Sequence, residues 1–169
     1  MLKIINDLKP FFDNCYARVN VREYARLTGI TPPTASALLK YYQKEGLLLS
    51  EKDRNYILFR ANSADKTFIN LSRIYWSLIL SDLVHSLEKE LIDPTVILFG
   101  SLSKAEAKPD SDIDIAIFTD NKEIGLSEFR KKLKREIHAL WYKSFNDIKN
   151  NSLKNNIANG YVLSGRVKL

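Results

Sequence analysis

The stretch Val96 to Phe118, VILFGSLSKAEAKPDSDIDIAIF, holds the residues whose types and spacing suit chemistry best. Asp112 and Asp114 alternate with Ile113, Ile115 and Ile117. A β-strand sends successive side chains to opposite faces, so the carboxylates share one face while the isoleucines enter a core. Along such a strand the two carboxylates are rooted roughly 6.6 Å apart. Neighbouring carboxylates repel and stay ionised only with a cation nearby. Mg²⁺ suits them, because it is held by one or two carboxylates while substrate phosphates complete its octahedron. Upstream, Gly100 lets backbone approach a phosphate, and Ser101 at a helix N-terminus offers hydroxyl and amide donors to it.

Other readings of these residues fit less well. A calcium loop of the EF-hand type wants Gly at its sixth position and Glu at its twelfth. Counted from Asp110 those positions are Ile115 and Asn121. A P-loop needs Gly-Lys-Ser/Thr after its first glycine, which is absent. A solvated acidic turn leaves two aspartates embedded in an isoleucine strand unexplained.

Gly100-Ser101, ten residues, then Asp112-Ile113-Asp114, with an apolar strand before and Pro-Asp-Ser leading into the carboxylates, resembles the signature of the DNA polymerase β-type nucleotidyltransferase superfamily. The nearest likeness is to its small branch, the minimal nucleotidyltransferases, over Asp93 to the C-terminus. That resemblance implies an α/β (α+β) fold with a mixed sheet flanked by helices. It implies a nucleoside triphosphate substrate, Mg²⁺ on Asp112 and Asp114, and nucleotide contacts from Gly100, Ser101 and Ser111. It also implies transfer of a nucleoside monophosphate to an acceptor. In the minimal branch the acceptor is a protein hydroxyl on a small helical toxin. The superfamily carries a third carboxylate on a later strand, as metal ligand and often as base. The matching strand here is Glu136 to Leu140, and alternation puts His138 at that position. Glu136, two residues away on the same face, is an alternative catalytic group. His138 is another, since a histidine titrates near neutrality. Loss of turnover with retention of nucleotide or metal binding is a third outcome.

The elements that must position these groups follow from periodicity. Val96 to Phe99 and Asp112 to Phe118 read as strands, Leu102 to Ala107 as a short helix, and Lys108 to Ser111 as a turn. Beyond them come a loop over Asp120 to Leu126 and a helix capped by Ser127 and running to about Arg135, with its basic residues solvated. A strand over Glu136 to Tyr142, a helix over Ser152 to Ala158 and a last short strand over Tyr161 to Leu163 complete the pattern. Before the first strand, Ser63 to Leu91 spaces apolar residues as one long helix, so apolar that it must bury most sides. It reads as a connector and as a candidate for homodimerisation.

At the N-terminus, Leu2 to Asn14 has helical spacing despite Pro10. Ala17 to Asn20 reads as a short strand. Asn20 caps a helix over Val21 to Leu27, and Thr31 with Pro32 opens another that Gly46 ends. Leu47 to Leu49 and Tyr56 to Arg60 form a hairpin around the polar loop Ser50 to Asn55. Helix, helix, tight turn, helix and hairpin resemble a winged helix-turn-helix. That likeness implies DNA binding, with Thr34, Ser36 and Lys40 facing the groove, Tyr41 at the backbone, and Lys52 and Arg54 gripping phosphates. A wing-bearing fold serving protein–protein contact is the alternative. The expected division is therefore 1–62 for the winged helix, 63–91 for the connecting helix and 92–169 for the nucleotidyltransferase domain.

Composition bounds the rest. The chain has 169 residues, 45% hydrophobic and 27% charged, which fits a folded chain of one or two domains. A single cysteine, Cys15, excludes an internal disulfide and suits a reducing, cytoplasmic setting. The most apolar stretch, Ile74 to Leu80, is too short to span a bilayer and is followed by Asp82, so no membrane partner is expected. The net charge of +6 is uneven. Residues 1–65 carry ten basic against seven acidic groups, 66–114 five against eight, and 115–169 eleven against five. The acidic middle holds the carboxylate pair, and the basic ends suit a polyanion. Two functions follow. One is a Mg²⁺-dependent nucleotidyltransferase coupled to DNA binding. The other is a DNA-binding regulator whose second domain binds nucleotide or a partner without turnover.

Overall fold

The computed structural model describes residues 2–120 and 124–167. It divides into two compact units, Met1–Tyr75 with Ala105–Pro109, and Trp76–Lys104 with Asp110–Leu169. Among the described residues no helix is long and apolar enough to cross a membrane.

The first unit contains α1 (Lys3–Asp13), α2 (Val21–Thr28), α3 (Pro32–Lys44) and the antiparallel strands β1 (Leu48–Asp53) and β2 (Tyr56–Ala61). Apolar side chains three and four apart bury one face of α1, namely Ile5, Leu8, Phe11 and Phe12. Phe12 packs on Phe68 and Tyr75 with ring centroids 5.2 and 5.4 Å away. On the same helix, Asp7 accepts from the Tyr42 hydroxyl at 2.6 Å, and its carbonyl accepts from the Tyr24 hydroxyl at 2.7 Å. One residue of α1 thus ties down both α2 and α3. The Asn20 side chain accepts from Glu23 N at 3.0 Å, the cap its position predicts.

Thr31 does not cap α3 in this way: its hydroxyl meets that of Thr34 at 2.9 Å instead of a backbone amide. The hairpin is also tighter than its polar residues suggest. Its strands run on through Ser50 to Asp53, and only Arg54 and Asn55 turn the chain, Arg54 in the left-handed region at φ 52°. The expected strand over Ala17 to Asn20 is a single bridge, in which Val19 and Phe59 exchange backbone hydrogen bonds of 2.9 and 2.8 Å.

The long helix expected over Ser63 to Leu91 is two, α4 (Lys66–Ile79) and α5 (Ser81–Glu90). The interruption falls at Leu80, with φ −90° and ψ 1°. The Ser81 hydroxyl donates to Leu78 O at 2.9 Å, competing locally with the helical ladder. Ladder bonds from Leu80 N to Trp76 O and Val84 N to Leu80 O persist, so the break costs one residue of regular geometry.

The second unit is built on a four-stranded mixed sheet of β3 (Thr95–Phe99), β4 (Ile113–Phe118), β5 (Ile137–Tyr142) and β6 (Tyr161–Ser164), in the order β5-β4-β3-β6. β3 is antiparallel to β4 and β6, and β5 is parallel to β4. α6 (Gly100–Ser103) follows β3 directly, α7 (Ser127–Leu133) precedes β5, and α8 (Asn151–Ala158) precedes β6. The short helix therefore starts on the glycine itself rather than at Leu102, and it stops early because Ala105 takes a left-handed φ of 56°. Ser127 is the first helical residue of α7 and not its cap, a place held by Leu126. Of the loop expected over Asp120 to Leu126, residues 121–123 lie outside the described residues. One face of the sheet packs Ile97, Phe99 and Ala116 against Phe145, Ile148 and Ile157. By alternation this is also the face of Asp112 and Asp114, so the carboxylates sit at the end of a surface that is hydrophobic further along.

Candidate active site

The pairing of β3 with β4 sets Phe99 opposite Asp114, so the chain leaves β3 at Gly100 directly beside that carboxylate. Gly100 has φ 70°, and a Cβ there would lie 2.2 Å from Asp114 Oδ2 and 3.0 Å from its Cγ. Both the backbone conformation and the space demand glycine. Ser101 is half-buried in the first turn of α6, and the Ser103 hydroxyl donates to Gly100 O at 2.9 Å, tightening that turn.

The parallel pairing of β4 with β5 sets Asp114 opposite His138. His138 Nδ1 lies 3.4 Å from Asp114 Oδ1 and 3.7 Å from Asp112 Oδ2. Side-chain exposure is 27% at Asp114, 42% at Asp112 and 60% at His138, so the cluster opens outward from Asp114. Burial pushes the Asp114 carboxyl above its ordinary range; His138 opposes that push, and Asp112 adds to it. Glu136 takes a different place. Its carboxylate lies 3.6 Å from Arg130 Nε, and its carbonyl accepts from Ile113 N at 2.8 Å. Of the two residues offered for the third position, His138 is the one within reach of the aspartates.

Arg135, grouped by its neighbours with a solvated basic run, is half-buried. Its guanidinium lies 5.0 Å over the Trp76 ring and donates to the Ser111 carbonyl, at the entrance to the acidic pair. The five basic residues between Phe129 and Glu136 look alike in sequence, and only the placement of Trp76 singles out this one. Lys104, at the end of α6, reaches Asn156 of α8 at 3.1 Å.

Among the described residues no three His, Cys, Asp or Glu side chains form a group that would hold a metal by themselves. Asp112, immediately before β4, and Asp114, within it, supply two hard oxygen donors. That set fits Mg²⁺ when substrate phosphates complete its shell, and the raised pKa of Asp114 marks a carboxylate that a cation would help ionise.

In the first unit, α3 buries Ala35, Leu39 and Tyr42, which turns Pro33, Ala37, Lys40 and Lys44 outward. Thr34 and Tyr41 flank that exposed face on one side, and half-buried Ser36 lies on the other. Lys52 and Arg54 are exposed at the hairpin tip. Lys44, which the helix-turn-helix pattern does not single out, falls in line with Lys40 one helical turn on. A cavity of about 300 Å³ is lined by Asn20, Arg22, Glu23, Arg26 and Tyr56, adding two arginines of α2, one in its first turn and one in its last.

Residues 83–166 match the family model described as Polymerase beta, Nucleotidyltransferase. This stretch is a nucleotidyltransferase-like domain of that family, in agreement with the mixed sheet, the flanking helices and the Gly-Ser turn beside Asp114. No curated protein and no solved structure matches the chain.

Proposed function

We propose that the second unit transfers a nucleoside monophosphate from a nucleoside triphosphate to a hydroxyl acceptor, with Mg²⁺ held by Asp112 and Asp114. The observation that carries this reading is the packing of Gly100 against Asp114, which puts the phosphate-approach turn and the acidic pair in one place. The Gly100-Ser101 turn, with Ser111, binds the triphosphate. When bound, the ion would neutralise phosphate charge and align the α-phosphate. The acceptor oxygen bonds to the α-phosphorus, the bond to the bridging oxygen breaks, and pyrophosphate leaves.

His138 takes the acceptor's proton in this reading. With Nδ1 turned toward the aspartates, Nε2 is the ring nitrogen left to serve as base. Glu136, tied to Arg130, serves as a base only if that pair opens. Arg135 positions the site by holding the Ser111 carbonyl. The likeness to minimal nucleotidyltransferases makes a protein partner, such as a cognate toxin, the acceptor.

The first unit binds DNA in this reading, through α3 and the hairpin. Thr34, Ser36 and Lys40 approach the groove, and Tyr41, Lys52 and Arg54 contact the backbone. The exposed line of Lys40 and Lys44 supports it. A second reading is a DNA-binding regulator whose nucleotidyltransferase-like domain binds nucleotide without turnover. It is favoured by the imidazole where the superfamily has a third carboxylate.

The test is calorimetric binding of ATP and the other nucleoside triphosphates with and without Mg²⁺, on wild type and on Asp112→Asn/Asp114→Asn. Mg²⁺-dependent binding lost in the variant is expected, followed by label from α-labelled nucleotide on a protein acceptor. Binding that ignores both aspartates would overturn the site. Binding without transfer to any acceptor would leave the regulator.

A further inference from the structure

β5 is an outer strand of the sheet, and among the described residues its free edge is covered only at its start. Ile113 N donates to Glu136 O and Thr119 N donates to Tyr142 O, which fixes the parity of the parallel ladder. Residues 136, 138, 140 and 142 therefore direct their backbone groups at β4, and Ile137, Ala139 and Trp141 direct theirs outward. Arg130 covers the first outward carbonyl by donating to Ile137 O at 3.2 Å. Among the described residues no hydrogen bond covers the outward N–H and C=O groups of Ala139 and Trp141.

Natural edges are blunted by charge, proline, bulges or a covering element. The strand Ile-His-Ala-Leu-Trp-Tyr has no proline, lysine or carboxylate, and it pairs with β4 without a register shift. The open edge also borders a groove of about 530 Å³, lined by Ile124 to Ser127, Arg130 and Ala139 to Tyr142. Leu140, Trp141 and Tyr142 are only half-buried. Backbone groups awaiting a partner and aromatic side chains beside them are the two components of recognition by strand addition.

We propose that the β5 edge docks an extended, acidic segment of a protein partner, which adds to the sheet as a strand. Charge selects this occupant. From Ser127 to Lys143 the chain carries six basic residues against two acidic, Glu128 and Glu136. Arg130 and Lys132 already pair with Glu136 and Asp82, while exposed Lys131, Lys134 and Lys143 have no carboxylate partner among the described residues. A second copy would bring the same basic surround against itself, whereas an acidic peptide complements it. The docking is independent of nucleotide turnover and of the acidic pair.

The experiment uses the full chain and fluorescence anisotropy of a labelled peptide alternating glutamate with valine. Its controls are the alternately N-methylated form and a lysine–valine counterpart. The acidic peptide should bind in a salt-sensitive way, and loss of the ladder donors on N-methylation should weaken it roughly tenfold or more. Ala139→Pro removes an outward N–H while sparing the β4 ladder, a position where an edge strand tolerates proline, and it should weaken binding comparably. Should that variant misfold by circular dichroism, Lys131→Glu with Lys143→Glu, both exposed, tests the charge term and should also weaken binding. Equal binding of the N-methylated or lysine peptide would overturn the proposal. So would a dimer of the chain that Ala139→Pro or the charge-reversal pair dissociates, because the edge would then belong to a second copy.

Discussion

Gly100→Ala is the sharpest probe of how the candidate site is built. At φ 70° a residue with a Cβ sits in the left-handed region, which costs about 1–2 kcal/mol relative to glycine. That term is local and independent of any neighbour. The new Cβ would also lie 2.2 Å from Asp114 Oδ2, so the carboxylate must retreat by about 1 Å to reach an ordinary carbon–oxygen contact of about 3.3 Å. The second cost exists only while the Asp114 carboxylate is there. A double-mutant cycle of Gly100→Ala with Asp114→Ala separates the two. The single Gly100→Ala change should lower stability by more than the backbone term. In the Asp114→Ala background the clash with the carboxylate is gone, and only the backbone term and the milder 3.2 Å contact with the retained Cβ remain, giving a coupling energy of about 0.5–3 kcal/mol. Urea unfolding of the four proteins measures this, and for a unit of this size each kcal/mol also moves Tm by about 4–8 °C. Additivity within about 0.5 kcal/mol would refute the close packing of Gly100 on Asp114. The same variant should lose Mg²⁺-dependent nucleotide binding, since the displaced carboxylate is one of the two proposed ligands.

The raised pKa of Asp114 means that the native state holds a proton the unfolded chain has already lost, so stability falls as pH rises from the ordinary carboxylate value, about 3.9, through the raised one. Asp114→Asn removes that loss: urea titrations without divalent ions should show the variant gaining on wild type as pH climbs through that window, and a constant difference across it would refute burial as the cause. The Ser72 hydroxyl is buried with no hydrogen-bond partner among the described residues, so Ser72→Ala should raise stability by about 1 kcal/mol or more, and a loss on denaturation would show that the hydroxyl is satisfied. Lys40→Ala with Lys44→Ala should weaken duplex binding and reduce the slope of log affinity against log salt by about one for each phosphate no longer neutralised. Unchanged affinity and slope in anisotropy titrations would sink docking through the exposed face of α3.

Local chemistry was legible in the sequence wherever it needed only near neighbours. Apolar spacing located α1, α2 and α3, the Asn20 cap came from one side chain and the amide three residues on, and the turn at Gly29 follows from its left-handed φ of 69°. Alternation alone placed Asp112 and Asp114 on the same face and opposite Ile113 and Ile115, because the period of a strand is a property of its own backbone. The glycine that opens α6 was likewise readable as a backbone approach point. Pairing was what sequence could not supply. His138 meets Asp114 because β5 lies parallel to β4 in one register, and a slip of one residue would have turned the imidazole to the other face. Glu136 was equally eligible by spacing, but in the fold its carboxylate pairs with Arg130, which also donates to Ile137 O. Arg135 became distinct from its basic neighbours only once Trp76 stood beneath it. The break at Leu80, beside which the Ser81 hydroxyl bonds back to Leu78 O, leaves no mark on the apolar period. Residue type and period thus determined which groups are available and which way they point along each element. The tertiary structure decided which of them meet, because pairing and burial join residues far apart in the chain, and it is burial against that sheet face that shifts the Asp114 carboxyl.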